Sequence, residues 1–222
     1  MFKRIVVLAA VGVLASIGTA RAQSPHVEVS GYAGWTFADG VSGTTVNAPD
    51  GNTYDRIDPK DSASFGFSLG ILAGPNAEVG FMYGNQPSKL VLGGTADREL
   101  GDMTITSYHG YFGYNFGHND SKVRPFVFGG LGATSFGSVD VTVAGTAHNI
   151  DSQTKFSTTW GGGVKILPDP HFGVRLAAQW TPTYVKSDAA GWWCDPYWGC
   201  YLASNAQYAN QFQLSGGVSV RF

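Results

Sequence analysis

The feature that most constrains this chain is a rhythm. Eight segments alternate apolar residues with small or polar ones, and the connections between them are by turns short and long. The segments are 27–37, 64–72, 77–85, 103–116, 123–134, 156–167, 171–181 and 208–222. Period-two alternation marks a strand with two unlike faces. Residues 64–72 put Phe65, Phe67, Leu69 and Ile71 on one face and Ser64, Gly66, Ser68 and Gly70 on the other. The segments average about 12 residues, close to the ~9–11 that a tilted strand needs to cross a bilayer.

The short connections, 73–76, 117–122 and 168–170, are rich in Gly, Pro, Asn and Asp, which favour turn backbones. The other four, 38–63, 86–102, 135–155 and 182–207, are long and polar and read as loops. A soluble β-sandwich would show the same alternation, but it rarely carries four structureless connections of that length. An outer-membrane barrel has the asymmetry by rule, with an even number of strands. The expected fold is therefore all-β: an eight-stranded antiparallel up-and-down transmembrane β-barrel with short periplasmic turns and long extracellular loops.

The N-terminus agrees. Lys3 and Arg4 precede an uncharged run from Ile5 to Ala20, and Ala20-Arg21-Ala22 has the small-x-small form of a cleavage site. This is the layout of a secretory signal peptide. The reading is a signal peptide over 1–22 and one barrel domain over 23–222. Composition fits too. Only 14% of residues are charged, against roughly 25% in ordinary soluble domains. The formal charge of −2 and pI near 6.2 exclude a basic nucleic-acid surface.

Six charged residues fall inside the strands: Glu28, Glu78, Arg124, Lys165, Arg175 and Arg221. All six are expected in the barrel interior, where buried charges need partners. Two acids face four bases, so solvent or a polar tail group must help the surplus. Arg124 is ambiguous, because Phe126 and Phe128 share its parity. An Arg facing lipid at the midplane costs roughly 2–4 kcal/mol, so Arg124 is placed inside or near the periplasmic interface. Aromatics near strand ends, such as Trp35, Tyr114, Phe116 and Trp180, are expected in interfacial girdles.

The two cysteines, Cys194 and Cys200, lie in the last long connection and are expected to form a disulfide outside the cytoplasm. Around them stand Trp192, Trp193, Tyr197, Trp198 and Tyr201, a candidate recognition loop, since Trp and Tyr dominate interface hot spots. The alternative is a loop packed on the barrel rim or dipping into lipopolysaccharide. The five histidines show no zinc spacing. No catalytic residue, metal ligand or cofactor site is expected.

With these features assembled, the chain resembles the small eight-stranded outer-membrane barrels of OmpA- and OmpX-like type. The residues that carry the resemblance are the ending Gly-Val-Ser-Val-Arg-Phe222, the run Arg124-Pro-Phe-Val-Phe-Gly-Gly-Leu-Gly and the run Glu78-Val-Gly-Phe-Met-Tyr. The resemblance implies that Val218, Val220 and Phe222 form an assembly signal read by the barrel-assembly machinery. It also implies residence in the outer membrane of a diderm bacterium, among outer-membrane lipid and lipopolysaccharide. The peptidoglycan-binding domain of OmpA-type proteins is absent from the reading. Three functions stay in view. The first is a non-enzymatic structural role that presents loops to an extracellular ligand or surface partner. The others are a narrow channel or carrier of small hydrophobic molecules, and an outer-membrane lipid-modifying enzyme.

Overall fold

A strand with one apolar face needs neighbours on both edges before it can leave water, because its backbone N–H and C=O groups must all be bonded. The computed structural model describes residues 27–47, 51–118, 121–143, 146–185, 194–195, 199–200 and 208–222, and among these fourteen strands form. Eight build the barrel wall: β1 (Val27–Asp39), β4 (Ser62–Leu72), β5 (Ala77–Gly94), β6 (Arg98–Asn115), β7 (Val123–Phe136), β10 (Gln153–Ile166), β11 (Phe172–Tyr184) and β14 (Tyr208–Arg221). Each pairs antiparallel with the next. The seam is β1 against β14, with Glu28 opposite Arg221 and Asp39 opposite Asn210. The amide of Val27 donates to the Phe222 carbonyl at 3.2 Å, and that of Phe222 to the Val27 carbonyl at 2.9 Å. Closure leaves the wall without an open edge.

The short turns take the chain between strands at the periplasmic end. In the β4–β5 turn Gly74 has φ +92°, a left-handed conformation that glycine adopts without a Cβ clash.

Burial is inverted relative to a soluble protein. Phe65, Phe67, Leu69 and Ile71 point outward, and so do Phe112, Val127, Leu176 and Leu214. The buried positions hold Glu28, Ser30, Ser68, Glu78, His109, Lys165 and Arg175. An apolar exterior over a polar interior is stable only where the surrounding medium is apolar. The barrel therefore spans a membrane with its strands. Phe126 and Phe128 go the other way: they follow Arg124 into the interior, while Val123, Val127 and Leu131 face outward. The shared parity on β7 is thus resolved in favour of the charge.

The long connections correct one expectation. Residues 86–102 are not a loop: β5 and β6 continue through them and leave only 95–97 between the strands. Within 38–63 lie β2 (Val41–Asn47) and β3 (Thr53–Pro59), and β3 pairs with the upper part of β5. Within 135–155 lie β8 (Val139–Val143) and β9 (Thr146–Ile150), paired with each other. The last connection holds β12 (Cys194–Asp195) and β13 (Gly199–Cys200).

The physical reason is a reversal of pattern along one strand. On β6 the outward residues change from Tyr114, Phe112 and Tyr108 to Thr104 and Asp102, while the inward ones change from Asn115 and His109 to Ile105 and Met103. Above the lipid the wall meets water, so apolar residues turn inward. Ile105, Met103, Leu90, Phe136, Val41, Ile57 and Val139 form a buried cluster there. Outside it, Glu99 holds Lys60 at 2.6 Å and Lys89 at 2.7 Å. Hydrogen bonds from Lys60 and Lys89 hold the exposed Glu99 carboxyl down to about 2. A depressed carboxylate contributes above its ordinary value and loses that contribution as pH falls through about 2. Solvent and salt screening keep such an exposed clamp weak.

The inverted surface makes a direct prediction. Phe112 is 56% exposed at the middle of its outward row. Phe112→Arg will destabilise the barrel by roughly 2–4 kcal/mol in phospholipid vesicles, measured by urea unfolding. Thr104→Arg, above the lipid, will stay within about 0.5 kcal/mol of the parent. Equal behaviour of the two variants would contradict a membrane-spanning wall.

Candidate functional site

The six charges expected in the interior, Glu28, Glu78, Arg124, Lys165, Arg175 and Arg221, all lie within a few residues of the periplasmic ends of their strands. Glu28 enters from β1, Glu78 from β5, Arg124 from β7, Lys165 from β10, Arg175 from β11 and Arg221 from β14. Each points inward, and each is nearly without solvent contact. The Lys165 ammonium sits between the two carboxylates, 2.8 Å from Glu28 and 2.7 Å from Glu78. On the far side of Glu28, Arg221 donates through Nε at 2.7 Å, and its Nη2 lies 2.7 Å from the same carboxylate oxygen as an ion pair. Tyr111 donates its hydroxyl to Glu78 at 2.5 Å, and Asn115 adds its amide at 3.3 Å. A single connected network thus crosses the lumen from β14 and β1 through β10 to β5 and β6.

The two surplus cations are not left to solvent or a tail group, as the charge count had suggested. Arg124 donates to the Pro75 carbonyl at 2.9 Å and to the Asn76 side chain at 3.4 Å, both in the β4–β5 turn. Arg175 lies over the ring of Phe126, 4.4 Å from its centroid, and 5.5 Å from that of Phe128. Aromatic faces attract a guanidinium through the ring quadrupole. This explains the inward turn of Phe126 and Phe128. With Met82 and Tyr111 they form an apolar cluster beside the ion pairs.

Interior glycines make room for this filling. A Cβ on Gly161 would stand 2.5 Å from the Phe128 ring, and one on Gly80 would stand 2.8 Å from the Tyr111 ring. Higher up, the lumen is lined by neutral groups. His109 shares a 2.9 Å hydrogen bond with Ser157, and Thr134 donates to the same oxygen at 2.9 Å. Gln213 donates to Ser64 at 2.6 Å, and Gln211 to Gln86 at 2.7 Å. The cavity among Tyr32, Thr36, Gln86, Gln179 and Gln213 measures about 30 Å³. That is room for a water or two.

Sequence reasoning named the six charges and missed the groups that complete their shell. Tyr111, Asn115, Ser68 and the turn carbonyl of Pro75 meet the charges across the barrel, at sequence separations of 33 to 107 residues. The only available signal was their shared inward parity.

Of the C-terminal residues, Val218, Val220 and Phe222 point outward, and Phe222 closes the seam onto Val27. Cys194 stands directly opposite Cys200 in the β12–β13 ladder. Trp192, Trp193, Tyr197, Trp198 and Tyr201 lie outside the described residues, as does the 1–22 segment. Among the described residues no group of His, Cys, Asp and Glu is arranged to hold a metal ion.

Comparison with known families agrees with this geometry. The family model described as outer membrane protein beta-barrel domain matches residues 6–222. The chain belongs to the outer membrane β-barrel family. Several solved barrels share its fold. OprG from Pseudomonas aeruginosa aligns with a TM-score of 0.61 at 12% identity, over 89% of this chain and 97% of that one. Neisserial surface protein A aligns at 0.53 with 17% identity, over 88% and 97%. The AlkL structure determined in lipid bilayers aligns at 0.52 with 13% identity, over 92% and 94%. Identities this low speak for the fold alone. No curated protein matches the chain.

Two predictions test the interior and the last hairpin of this outer-membrane barrel. Lys165→Met leaves two carboxylates facing each other in the lumen, and will cost about 3–5 kcal/mol in vesicle unfolding, because it strips a buried pair of its shared partner. Glu78→Gln leaves Lys165 paired with Glu28 and will cost less. The reverse order would remove Lys165 from the centre of the network. Residues facing each other in an antiparallel ladder have the Cα spacing that a disulfide spans. Cys194 and Cys200 will therefore resist alkylation in non-reduced protein from the outer membrane and react fully after reduction. Two free thiols before reduction would exclude the bridge.

Proposed function

We propose that this protein is a non-enzymatic surface protein: a sealed barrel that anchors extracellular hairpins for contact with an external ligand or partner. The observation that carries this reading is the network centred on Lys165, which ties five strands together across the periplasmic end of the lumen. Opening a solute path there means separating buried, paired charges from one another, which is costly in a low dielectric. The apolar cluster of Leu90, Met103, Ile105 and Phe136 supports the same reading at the outer mouth. Its members are packed on one another, and such a core rigidifies the hairpins it carries.

The surface role falls to the hairpins. β2–β3 is fastened to β5 by strand pairing and by the Lys60–Glu99–Lys89 clamp. The last connection adds the Cys194–Cys200 pair and, by its sequence, five aromatic residues. In the same reading, residues 1–22 direct secretion, and Val218, Val220 and Phe222 address the barrel-assembly machinery. A lipid-modifying enzyme would need a nucleophile and base at the outer rim. The His109–Ser157 pair is instead enclosed in the lumen, both residues being fully buried.

Planar-bilayer recording tests the sealed barrel. Purified protein will add no stepwise conductance to a lipid bilayer in molar salt. Reproducible single-channel steps, larger still in Lys165→Met, would replace this reading with the narrow channel.

A further inference from the structure

The outward face of β10, β11 and β14 carries a groove that neither the sealed lumen nor the hairpins use. It measures about 440 Å³ and lies between two aromatic rows. The lower row is Trp160 and Trp180, which face each other across the β10–β11 ladder. The upper row is Phe156, Tyr184 and Tyr208, the two tyrosine rings meeting edge to face at 5.6 Å. Between the rows stand Thr158, Pro182 and Asn210.

Pro182 explains why a groove exists here. Registered β10–β11 pairs run through Ser157 opposite Thr183 and resume at Trp160 opposite Trp180, and the two positions between them are unpaired. Proline has no N–H to give the ladder. The strands lose their bond at that level, and the outer surface sinks between them.

The height of the groove identifies its surroundings. Outward residues on β14 run from Phe222 through Val220, Val218 and Leu214 to Phe212, the neighbour of Trp180. At about 3.4 Å per residue and the usual tilt, that row spans roughly 25 Å, the height of the apolar band. Asn210 and Tyr208 stand just above it. The groove is therefore continuous with the lipid-facing wall and opens at the outer-leaflet boundary between hydrocarbon and headgroup.

The geometry points to a seat for an outer-leaflet glycolipid, with a sugar of its head held on the aromatic rows and an acyl chain running down the wall below. Flat aromatic faces accept the C–H face of a pyranose ring, and hydroxyls need hydrogen-bonding groups beside it. Both are present and held in place. The Trp160 indole donates to Thr158 at 3.1 Å, and the Trp180 indole to Asn210 at 3.2 Å. These bonds fix the two indoles and orient Asn210 so that its amide N–H groups remain to donate. Fixing the groups beforehand removes part of the ordering cost of binding. A phospholipid acyl chain alone would use the aromatic rows and leave the polar row between them without a role. The inference rests on the outer-membrane fold and is independent of whether the lumen conducts.

The test uses the full-length mature protein in detergent micelles, with a hexa-acylated diphosphoryl glucosamine disaccharide lipid and phosphatidylethanolamine as competing probes. Native mass spectrometry counts which lipid stays bound as the micelle is stripped. Wild-type protein will retain the glucosamine lipid about tenfold over the phospholipid, and Trp180→Leu and Asn210→Leu will each reduce that preference severalfold. Tyr108→Leu, an outward aromatic on the opposite wall, will keep the full preference. Heat-dependent migration on a gel reports which variants have folded. If a groove variant does not fold, the wild-type ratio still decides. Equal retention of both lipids by wild-type protein overturns the proposal. So does a folded Trp180→Leu variant with unchanged preference, or a Tyr108→Leu variant that loses it equally.

Discussion

Everything in this molecule depends on satisfying backbone hydrogen bonds in a medium that offers none. In hydrocarbon an unpaired N–H or C=O group costs several kcal/mol, so a sheet must close or stay out. The seam between β1 and β14 is where closure happens, with twelve registered residue pairs and the reciprocal bonds of Val27 and Phe222 at its base. Once the wall is closed, each strand has one face toward lipid and one toward a narrow interior. Side-chain chemistry then follows from position. The outward face can be Phe, Leu, Val or Trp without penalty, and the inward face can be polar only if its groups find one another.

The same requirement, applied above the membrane, reverses its own result. Where the wall rises into water, the outward face becomes Asp102, Thr104 and Lys89, and the inward face becomes Met103, Ile105 and Leu90. β5 and β6 pass through both media as uninterrupted strands of 18 residues each. The apolar cluster at the mouth is in effect the core of a small soluble β-structure standing on a membrane barrel. This makes the β2–β3 and β5–β6 hairpins stiff supports rather than slack loops.

That reversal also marks where the sequence could be read and where it could not. The eight barrel strands, the short turns and the inward position of Glu28, Glu78 and Arg175 follow from one alternating pattern and one rule about lipid. The upper halves of β5 and β6 were hidden, because apolar-out alternation ends near Tyr83 and Tyr108 and its mirror image looks like a polar loop. Phe126 and Phe128 were illegible for a different reason. Their inward turn is set by Arg175 from β11, about fifty residues away in the chain, and no local pattern encodes that partner. The shell of Tyr111 and Asn115 around Glu78 depends in the same way on the register of β5 against β6.

The lumen shows how a barrel can hold four cations against two carboxylates without a compensating acid. Lys165 and Arg221 take the carboxylates, and the remaining two are neutralised by dipoles and quadrupoles instead of charge. Arg124 turns down to carbonyl oxygen in the β4–β5 turn, and Arg175 lies flat on aromatic rings. Arginine suits both tasks, because its planar, weakly hydrated fork tolerates carbonyls and ring faces better than a compact ammonium does. Lysine occupies the one position between two carboxylates, where a point charge with rotatable donors serves both. The arrangement leaves net positive charge at the periplasmic end of a filled lumen, held by the geometry of the six strands that carry the charges. It cannot relax at one residue without disturbing the others, and so the interior acts as a single structural unit rather than as a set of separate pairs.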